Sequence, residues 1–146
     1  MAEKYNLHNQ YKSQAYVYII GSIEHFEIVK IGISRDLPEK GRIQSLQTGS
    51  PFKLYVWATV AVAVKNLNKC EKNIHSRLSD INVSGEWFKI NPQEAYKIAL
   101  DEANKFDDKI KKGGTSYDAF CGNKIIEDLK SIKHPAIEKI FNEEPA

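Results

Sequence analysis

The sequence predicts a mixed α/β fold of the α+β kind, because stretches that alternate between apolar and polar residues are followed by stretches with helical spacing. Two alternating stretches lie near the N-terminus and a third lies near the middle of the chain, whereas helical spacing dominates the second half. The length of 146 residues is that of one ordinary domain, which buries roughly 68% of its unfolded surface. One hydrophobic core is therefore expected.

The first predicted elements are the two strands of a hairpin. Residues 1–14 are polar and unpatterned, which predicts a flexible N-terminal arm. Alternation over residues 15–20 and again over residues 26–33, with a turn between them, indicates paired strands. This pairing puts four residues on one face that is expected to be exposed: Tyr16, Tyr18, Lys30 and Gly32.

A short helix and a long strand follow. Asp36 and Pro38 are typical of a helix start, and Gly49 and Pro51 of its end. Residues 53–64 form a long run of β-branched and aromatic residues, with every second residue from Leu54 to Val62 apolar. We expect this run to be the central strand of a sheet, with one apolar face.

Helical spacing predicts the elements of the second half. A helix is expected over residues 68–79, a closing strand over 86–90, and a third helix from the capping residue Asn91 to the Gly113-Gly114 pair. A loop over 115–123 and two short helices separated by His134-Pro135 complete the chain. The predicted organisation is an arm (1–14), a main domain (15–112) and a helical C-terminal extension (113–146).

Composition and charge restrict the class of protein. No run of about 18 apolar residues occurs and the first residues hold no apolar stretch, so neither a membrane span nor secretion is expected, and the cytoplasm is favoured. Cys70 and Cys121 are far apart in sequence, which predicts free thiols. Residues 1–90 carry 12 Lys/Arg against 8 Asp/Glu, whereas residues 91–146 carry 9 against 11. A basic front half suits an anionic partner, although a solvated surface is the more ordinary explanation of such a small excess.

Five short segments, in this order, resemble the GIY-YIG nuclease superfamily. Its two name-giving tripeptides lie on the strands of a hairpin, and here they read Tyr16-Val17-Tyr18 and Lys30-Ile31-Gly32. RIQSLQTGSP follows from Arg42, and CEKNIHSRL from Cys70 and GEWFKI from Gly85 resemble the phage-type branch. The resemblance implies a small central antiparallel three-stranded sheet flanked by helices, and a metal-dependent endonuclease that hydrolyses phosphodiester bonds of DNA.

The resemblance also implies which residues carry the chemistry. Glu71 matches the metal-ligand glutamate, and Mg²⁺ or Mn²⁺ commonly takes only one or two protein carboxylates. Arg42 matches an arginine that grips the scissile phosphate. Tyr18 matches a tyrosine that positions or deprotonates the attacking water, and a phenol with a pKa near 10 needs a nearby metal or Lys30 to lower that pKa. His75 lies four residues after Glu71, on the same helix face, and is a candidate base.

Two positions depart from the pattern of the superfamily. Lys30 replaces the usual tyrosine of the second tripeptide, and Leu46 stands where many members carry a histidine or tyrosine. Lys30 is expected to neutralise phosphate charge or to tune Tyr18. Further contacts to nucleic acid are expected from Tyr16, Gly32, Arg35, Gln47, Thr48, Ser50 and Lys72, partly through free backbone N–H groups where the first helix ends.

Other functions stay open on the sequence alone. Each site residue also has an ordinary structural role, and Lys30 and Leu46 are equally signs of a binding module that holds nucleic acid without cutting it. In a third interpretation, residues 91–146 are an interaction element whose acidic helices dock a protein partner or cover the groove. A zinc site is a poor alternative, because Cys70 and His75 are five residues apart and Cys121 is distant in sequence. A stand-alone nuclease of this branch would suit a phage or mobile element.

Overall fold

The structure, a computed structural model, describes residues 14–106 and 118–142. The described residues form one antiparallel sheet of six strands and five α-helices, with short 3₁₀ turns at Pro38–Lys40 and Ser79–Ile81. The strands are β1 (Gln14–Ser22), β2 (Ile28–Ser34), β3 (Leu54–Ala63), β4 (Asn82–Ser84), β5 (Trp87–Lys89) and β6 (Ala119–Phe120). The helices are α1 (Arg42–Thr48), α2 (Val64–Arg77), α3 (Pro92–Ala103), α4 (Gly122–Ser131) and α5 (Pro135–Asn142).

The predicted hairpin is confirmed, and with it the mixed α+β class. Tyr18 lies opposite Gly32 and Ile20 lies opposite Lys30 in the β1–β2 pair. The sheet is larger than the three strands expected, with the order β4-β5-β2-β1-β3-β6. Strands β4 and β6 have three and two residues, too short for a readable alternation. The expectation that residues 53–64 form the central strand is wrong: β1, which is buried along its whole length, lies between β2 and β3.

A β-bulge changes the faces of β3. Ile19 lies opposite Ala58, but the next residue, Ile20, lies opposite Val56, so Trp57 is the extra residue. The single apolar face predicted for β3 is therefore wrong. Leu54 and Val56 pack on one side of the sheet, whereas Trp57, Ala58, Val60 and Val62 contribute to the core on the other side.

Apolar residues cover both faces of the sheet. The larger core lies under α2 and α3 and includes Cys70, Ile74 and Ala99. It also includes Leu129 of α4 and Ile137 of α5, so the C-terminal helices pack on the same core as the sheet. On the other face, Ile43 and Leu46 of α1 pack against three buried residues, Tyr18, Ile20 and Leu54. Leu46 thus has a packing role, which accounts for its apolar character.

Several predicted boundaries need correction. Helix α2 begins at Val64, four residues before the predicted start. The cap of α3 is confirmed, because the Asn91 side chain accepts a hydrogen bond from Glu94 N at 2.9 Å. This helix ends at Ala103, after which the chain turns and Phe106 packs against the larger core. Part of the predicted loop over 115–123 is instead β6 and the first turn of α4.

The remaining predictions concern the C-terminal helices, the cysteines and the two ends of the main domain. The two short C-terminal helices and the two free thiols are confirmed. The arm lies outside the described residues except for Gln14, which begins β1, and residues 107–112 of the predicted third helix also lie outside them. Among the described residues, each helix is too short or too polar to cross a membrane.

Candidate active site

Two carboxylates and one imidazole converge at the edge of β2. Glu71 and His75 project from α2, one turn apart, and Glu86 directly precedes β5. One ligand atom from each of the three lies within 4.8 Å of the others. The predicted proximity of Glu71 and His75 is therefore confirmed, and Glu86 joins them. We call these three residues the acidic cluster.

The local fold explains why the acidic cluster forms here. On α2, Glu71 and His75 flank the apolar stripe that contains Cys70 and Ile74, and this stripe packs on the sheet. The N–H of Ile31 donates to Glu86 O at 2.9 Å, which brings the start of β5 to the edge of β2. Helix and strand end thus meet at one place on the sheet.

Lys30 lies beside the acidic cluster and is paired within it. Its Nζ is 2.9 Å from Glu86 Oε1, and its side chain is only 14% exposed. The Trp87 ring, opposite Lys30 in the β2–β5 register, has its centroid 5.9 Å from the same Nζ. The carboxylate and the ring together hold the ammonium group over this part of the sheet.

The two carboxyl groups of the acidic cluster have different pKa values. Burial, a hydrogen bond to Glu86 and the negative charge of Glu86 raise the pKa of Glu71 to about 7, although Lys30 opposes the shift. Burial would also raise the pKa of Glu86, but hydrogen bonds from Lys30 and from Glu71 hold it below its usual value. Glu71 Oε2 is buried and lacks a hydrogen-bond donor among the described residues. The pair has more acceptors than donors, which favours a cation.

The tautomer of His75 follows from its hydrogen bond. Nε2 lies 2.8 Å from the carbonyl oxygen of Ile31. Because a carbonyl oxygen only accepts, Nε2 carries the hydrogen and the lone pair of the neutral ring is on Nδ1. His75 therefore offers one basic nitrogen, to a cation or to a proton.

Tyr18 is buried and neutral. It is 2% exposed, and burial together with the charges of Glu86 and Glu71 raises its pKa to about 12, against the opposing charge of Arg42. The expectation that Lys30 lowers this pKa is not met, because Lys30 is paired with Glu86. The phenol of Tyr18 can donate or accept a hydrogen bond, but it does not ionise near neutral pH.

Arg42 lies at the start of α1 on an open cleft of about 250 Å³. Ser34, Arg35 and Asn68 also line this cleft, which runs between the end of β2 and the first turns of α2. Arg42 is exposed, and its positive charge opposes the rise in the pKa of Tyr18. Lys72 is exposed on α2. A nucleic-acid role for Arg35 and Lys72 stays a prediction.

The structure confirms that one face of the sheet carries Tyr16, Tyr18, Lys30 and Gly32. The prediction that this face is exposed is wrong. Tyr16 is 8% exposed and Gly32 is buried. A Cβ atom at Gly32 would collide with the Tyr18 phenol, so the glycine makes room for the tyrosine. Contacts of Tyr16 and Gly32 with nucleic acid would therefore require access to a largely covered surface.

The polar residues at the end of α1 have structural partners. Gln47 donates to Phe52 O at 2.9 Å and accepts from Leu54 N at 2.7 Å, and Thr48 donates to Gln44 O at 3.0 Å. Ser50 bonds to both backbone groups of Phe52. The backbone N–H groups of Gly49 and Ser50 also donate within this turn. The expectation of free N–H donors here is wrong, because the turn uses them to close on itself.

Glu86 is a site residue that the sequence pattern does not predict. The resemblance includes the segment GEWFKI but implies no role for its glutamate. The available signal was strand parity: Glu86 shares its parity with Phe88 and Ile90, both of which are buried. A carboxylate at the start of a series of residues that face the core is unusual, and it indicates a functional role for Glu86.

Comparison with known proteins gives one match. Neither the curated proteins nor the solved structures include a significant relative of this chain. Residues 15–102 match the family described as the T5orf172 domain. The matched region covers more than half of the chain, from β1 to the last turn of α3, and includes Tyr18, Lys30, Arg42 and the whole acidic cluster. The chain belongs to the T5orf172 domain family.

Proposed function

We propose that this protein is a metal-dependent endonuclease that hydrolyses DNA phosphodiester bonds with a site of the GIY-YIG type. The observation that carries the proposal is the convergence of Glu71, His75 and Glu86 beside Lys30 and Tyr18. These residues come from four separate elements and yet meet around one point. The order of segments that resembles the superfamily supports the same assignment, as does an exposed arginine on the open cleft.

The acidic cluster fits a hard divalent cation. It offers two carboxylates, one of which has a buried oxygen without a donor, and an imidazole nitrogen. Oxygen-rich sites of this kind suit Mg²⁺ or Mn²⁺, with Glu71 and Glu86 as the ligands. When bound, the cation would neutralise charge on the nonbridging phosphate oxygens and favour ionisation of a water.

The side chains around the acidic cluster have separate roles in the proposed reaction. His75 accepts the proton of the attacking water at Nδ1, because its Nε2 hydrogen is committed to Ile31 O. Tyr18 stays neutral and orients water or phosphate through its hydroxyl group. Arg42 grips the scissile phosphate from the open cleft. Lys30, held by Glu86, adds positive charge beside the phosphate.

The test is nicking of supercoiled plasmid with and without Mg²⁺ or Mn²⁺. Glu71→Gln keeps the shape of the side chain but removes its charge, so we expect cutting to vanish while DNA binding survives or tightens. Tyr18→Phe and His75→Gln are expected to slow cutting. The matched control is Glu127→Gln on the exposed side of α4, which should cut at the wild-type rate. Equal cutting by Glu71→Gln and wild type would show that the site assignment is wrong.

A second function, binding of nucleic acid without cleavage, is favoured by one observation. The Lys30–Glu86 ion pair supplies Glu86 with a cation from the protein itself. In this alternative the same surface holds DNA without cutting it. Wild-type protein that binds a panel of DNA substrates but leaves all of them intact with both metals would establish this function instead.

A further inference from the structure

We propose that a second cleft, lined by aromatic residues, binds one unpaired base of the DNA strand next to the site of cleavage. This inference rests on the proposed function and adds a base-binding subsite to it. The cleft has a volume of about 220 Å³. Its walls include His25, Phe52 and Trp87, and its apolar floor includes Ile28 and Leu54. We call it the aromatic cleft.

The aromatic cleft lies on the same sheet face as Tyr18 and Lys30. Ile28 precedes Lys30 by two residues on β2, about 6.6 Å along the strand, and both side chains point to one face. Trp87 lies opposite Lys30 and separates the ammonium group from the cleft. A strand whose phosphate lies at Lys30 therefore has a neighbouring base within reach of the cleft.

The lining suits a flat, uncharged ring system. The rings of His25 and Phe52 meet edge to face, with centroids 4.8 Å apart. Phe52 is 37% exposed and Trp87 is partly exposed, so both rings are accessible to a ligand. Pockets for drug-sized ligands begin at about 300 Å³, so this smaller volume suits a single base. Every nucleic-acid base has a π-face that can stack on such rings.

The polar groups at the rim predict weak discrimination between bases. The hydroxyl oxygen of Ser22 accepts from His25 N at 3.1 Å, and that of Ser50 is engaged by the backbone of Phe52. These two serine oxygens are thus engaged by the backbone, so stacking on the rings is expected to dominate over reading of the base edge. Lys53, next to Phe52, is exposed and adds positive charge for the DNA backbone.

A base can enter the aromatic cleft only after it has left the helical stack. Unstacking and unpairing cost less for a base that is already unpaired or single-stranded. The subsite therefore predicts preference for DNA with an unpaired base beside the cut bond. Fully paired duplex is expected to bind more weakly at equal salt.

The experiment compares two oligonucleotides of equal length in EDTA: oligothymidine, and the same backbone without bases. Wild type is expected to bind oligothymidine more tightly, by about 5- to 150-fold for one stacked base. Phe52→Ala should remove most of this ratio, while the turn keeps its backbone contacts through Gln47 and Ser50. The control is Ile132→Ala, a side chain that is 69% exposed after α4, which should preserve the ratio.

A fluorescence measurement tests the same contact independently. The chain has two tryptophans, and Trp57 is fully buried, so stacking should quench only Trp87. We expect oligothymidine to quench the tryptophan fluorescence of the wild type. No quenching is expected when oligothymidine binds Trp87→Phe or when the abasic backbone binds the wild type. An unchanged ratio in Phe52→Ala, equal affinity for both oligonucleotides, or no binding overturns the proposal. Base-dependent binding without plasmid nicking would support the base-binding cleft and contradict the proposed nuclease activity. Plasmid nicking with the same affinity ratio in wild type and Phe52→Ala would support the nuclease activity and contradict the base-binding cleft.

Discussion

At the scale of single residues, the pair formed by Tyr18 and Gly32 sets the shape of the site. The two lie opposite each other on β1 and β2, and the phenol occupies the space that a side chain at residue 32 would take. The glycine therefore determines where the hydroxyl group of Tyr18 lies. Because the ring is buried beside two glutamates, this hydroxyl group stays protonated.

Gly32→Ala is expected to displace Tyr18. Its methyl group would overlap the phenol, and forced overpacking of this kind typically costs about 1–3 kcal/mol. We expect a lower thermal unfolding midpoint and slower plasmid nicking. Gly49→Ala is the matched control, because residue 49 has a φ of −94° and its nearest neighbour atom is 4.0 Å from an added Cβ. Equal midpoints for wild type and Gly32→Ala would contradict this account of the pair.

The sequence predicted those site residues that share a motif or a helix face. Glu71 and His75 could be placed together because residues four apart on a helix are neighbours. The contribution of Glu86 depends on the pairing of β5 with β2, a contact between residues far apart in sequence. The role predicted for Gln47 and Ser50 is wrong for a related reason, since their hydrogen-bond partners in the turn are set by the fold of the chain and not by a sequence pattern.

At the scale of elements, an ion-pair network joins the end of α2 to the end of α3. Arg77 contacts Asp101 and Glu102, and Lys105 contacts Glu102 at 2.8 Å. The Glu102 side chain is buried, whereas both cations are partly exposed. The hydrogen bond from Lys105 outweighs burial and, with that from Arg77, holds the pKa of Glu102 below its usual value. The network holds α2, which carries Glu71 and His75, against α3.

This network predicts a pH dependence of stability. Because the pKa of Glu102 is lower in the folded protein, its contribution is complete above the unfolded value of 4.5 and is lost as the pH falls through the folded value. Glu102→Gln should therefore lower the free energy of unfolding at pH 7 by on the order of 1 kcal/mol, since the cations are screened, and with it the thermal midpoint. The difference from wild type should shrink towards pH 3 in thermal melts. A difference that is constant from pH 7 to pH 3 would exclude this role.

Most elements were predictable, but the two short edge strands were not. Strand β1 and helices α2 to α5 have enough residues for a readable period, whereas β4 and β6 do not. The bulge at Trp57 shows a different limit, because it depends on the register with β1 and not on any pattern within β3. One inserted residue moved half of the strand to the opposite face.

At the scale of the whole molecule, charge is distributed unevenly along the chain. Residues 1–90, which supply the acidic cluster and both clefts, have a net charge of +4, and residues 91–146 have −2. We expect the logarithm of the DNA binding constant to fall linearly with the logarithm of salt concentration, because Lys and Arg side chains displace counterions from phosphates. Fluorescence anisotropy over a series of NaCl concentrations measures the slope. Affinity that barely changes between low and physiological salt would point to a specific pocket instead.

The C-terminal helices are expected to contribute to the stability of the whole fold. Leu129 is buried in the larger core, so Leu129→Ala should lower the free energy of unfolding by about 2–5 kcal/mol. Ile132→Ala, three residues later and exposed, is the control and should change it little. Urea unfolding followed by circular dichroism gives both values. A neutral Leu129→Ala would indicate that residues 118–142 fold apart from the sheet.

The position of β6 has a consequence for aggregation during synthesis. Strand β3 contains no charged residue and no proline, a composition that is prone to pair with other chains when its edge is bare. That edge is covered by β6, by Asp118, which accepts from Ala61 N, and by Cys121, whose N–H donates to Trp57 O. Residues 64–117 are synthesised between β3 and the segment that covers its edge. During synthesis the edge of β3 therefore stays uncovered for on the order of 3–10 s. The nascent chain is therefore most vulnerable to edge-to-edge association before residue 118 has emerged.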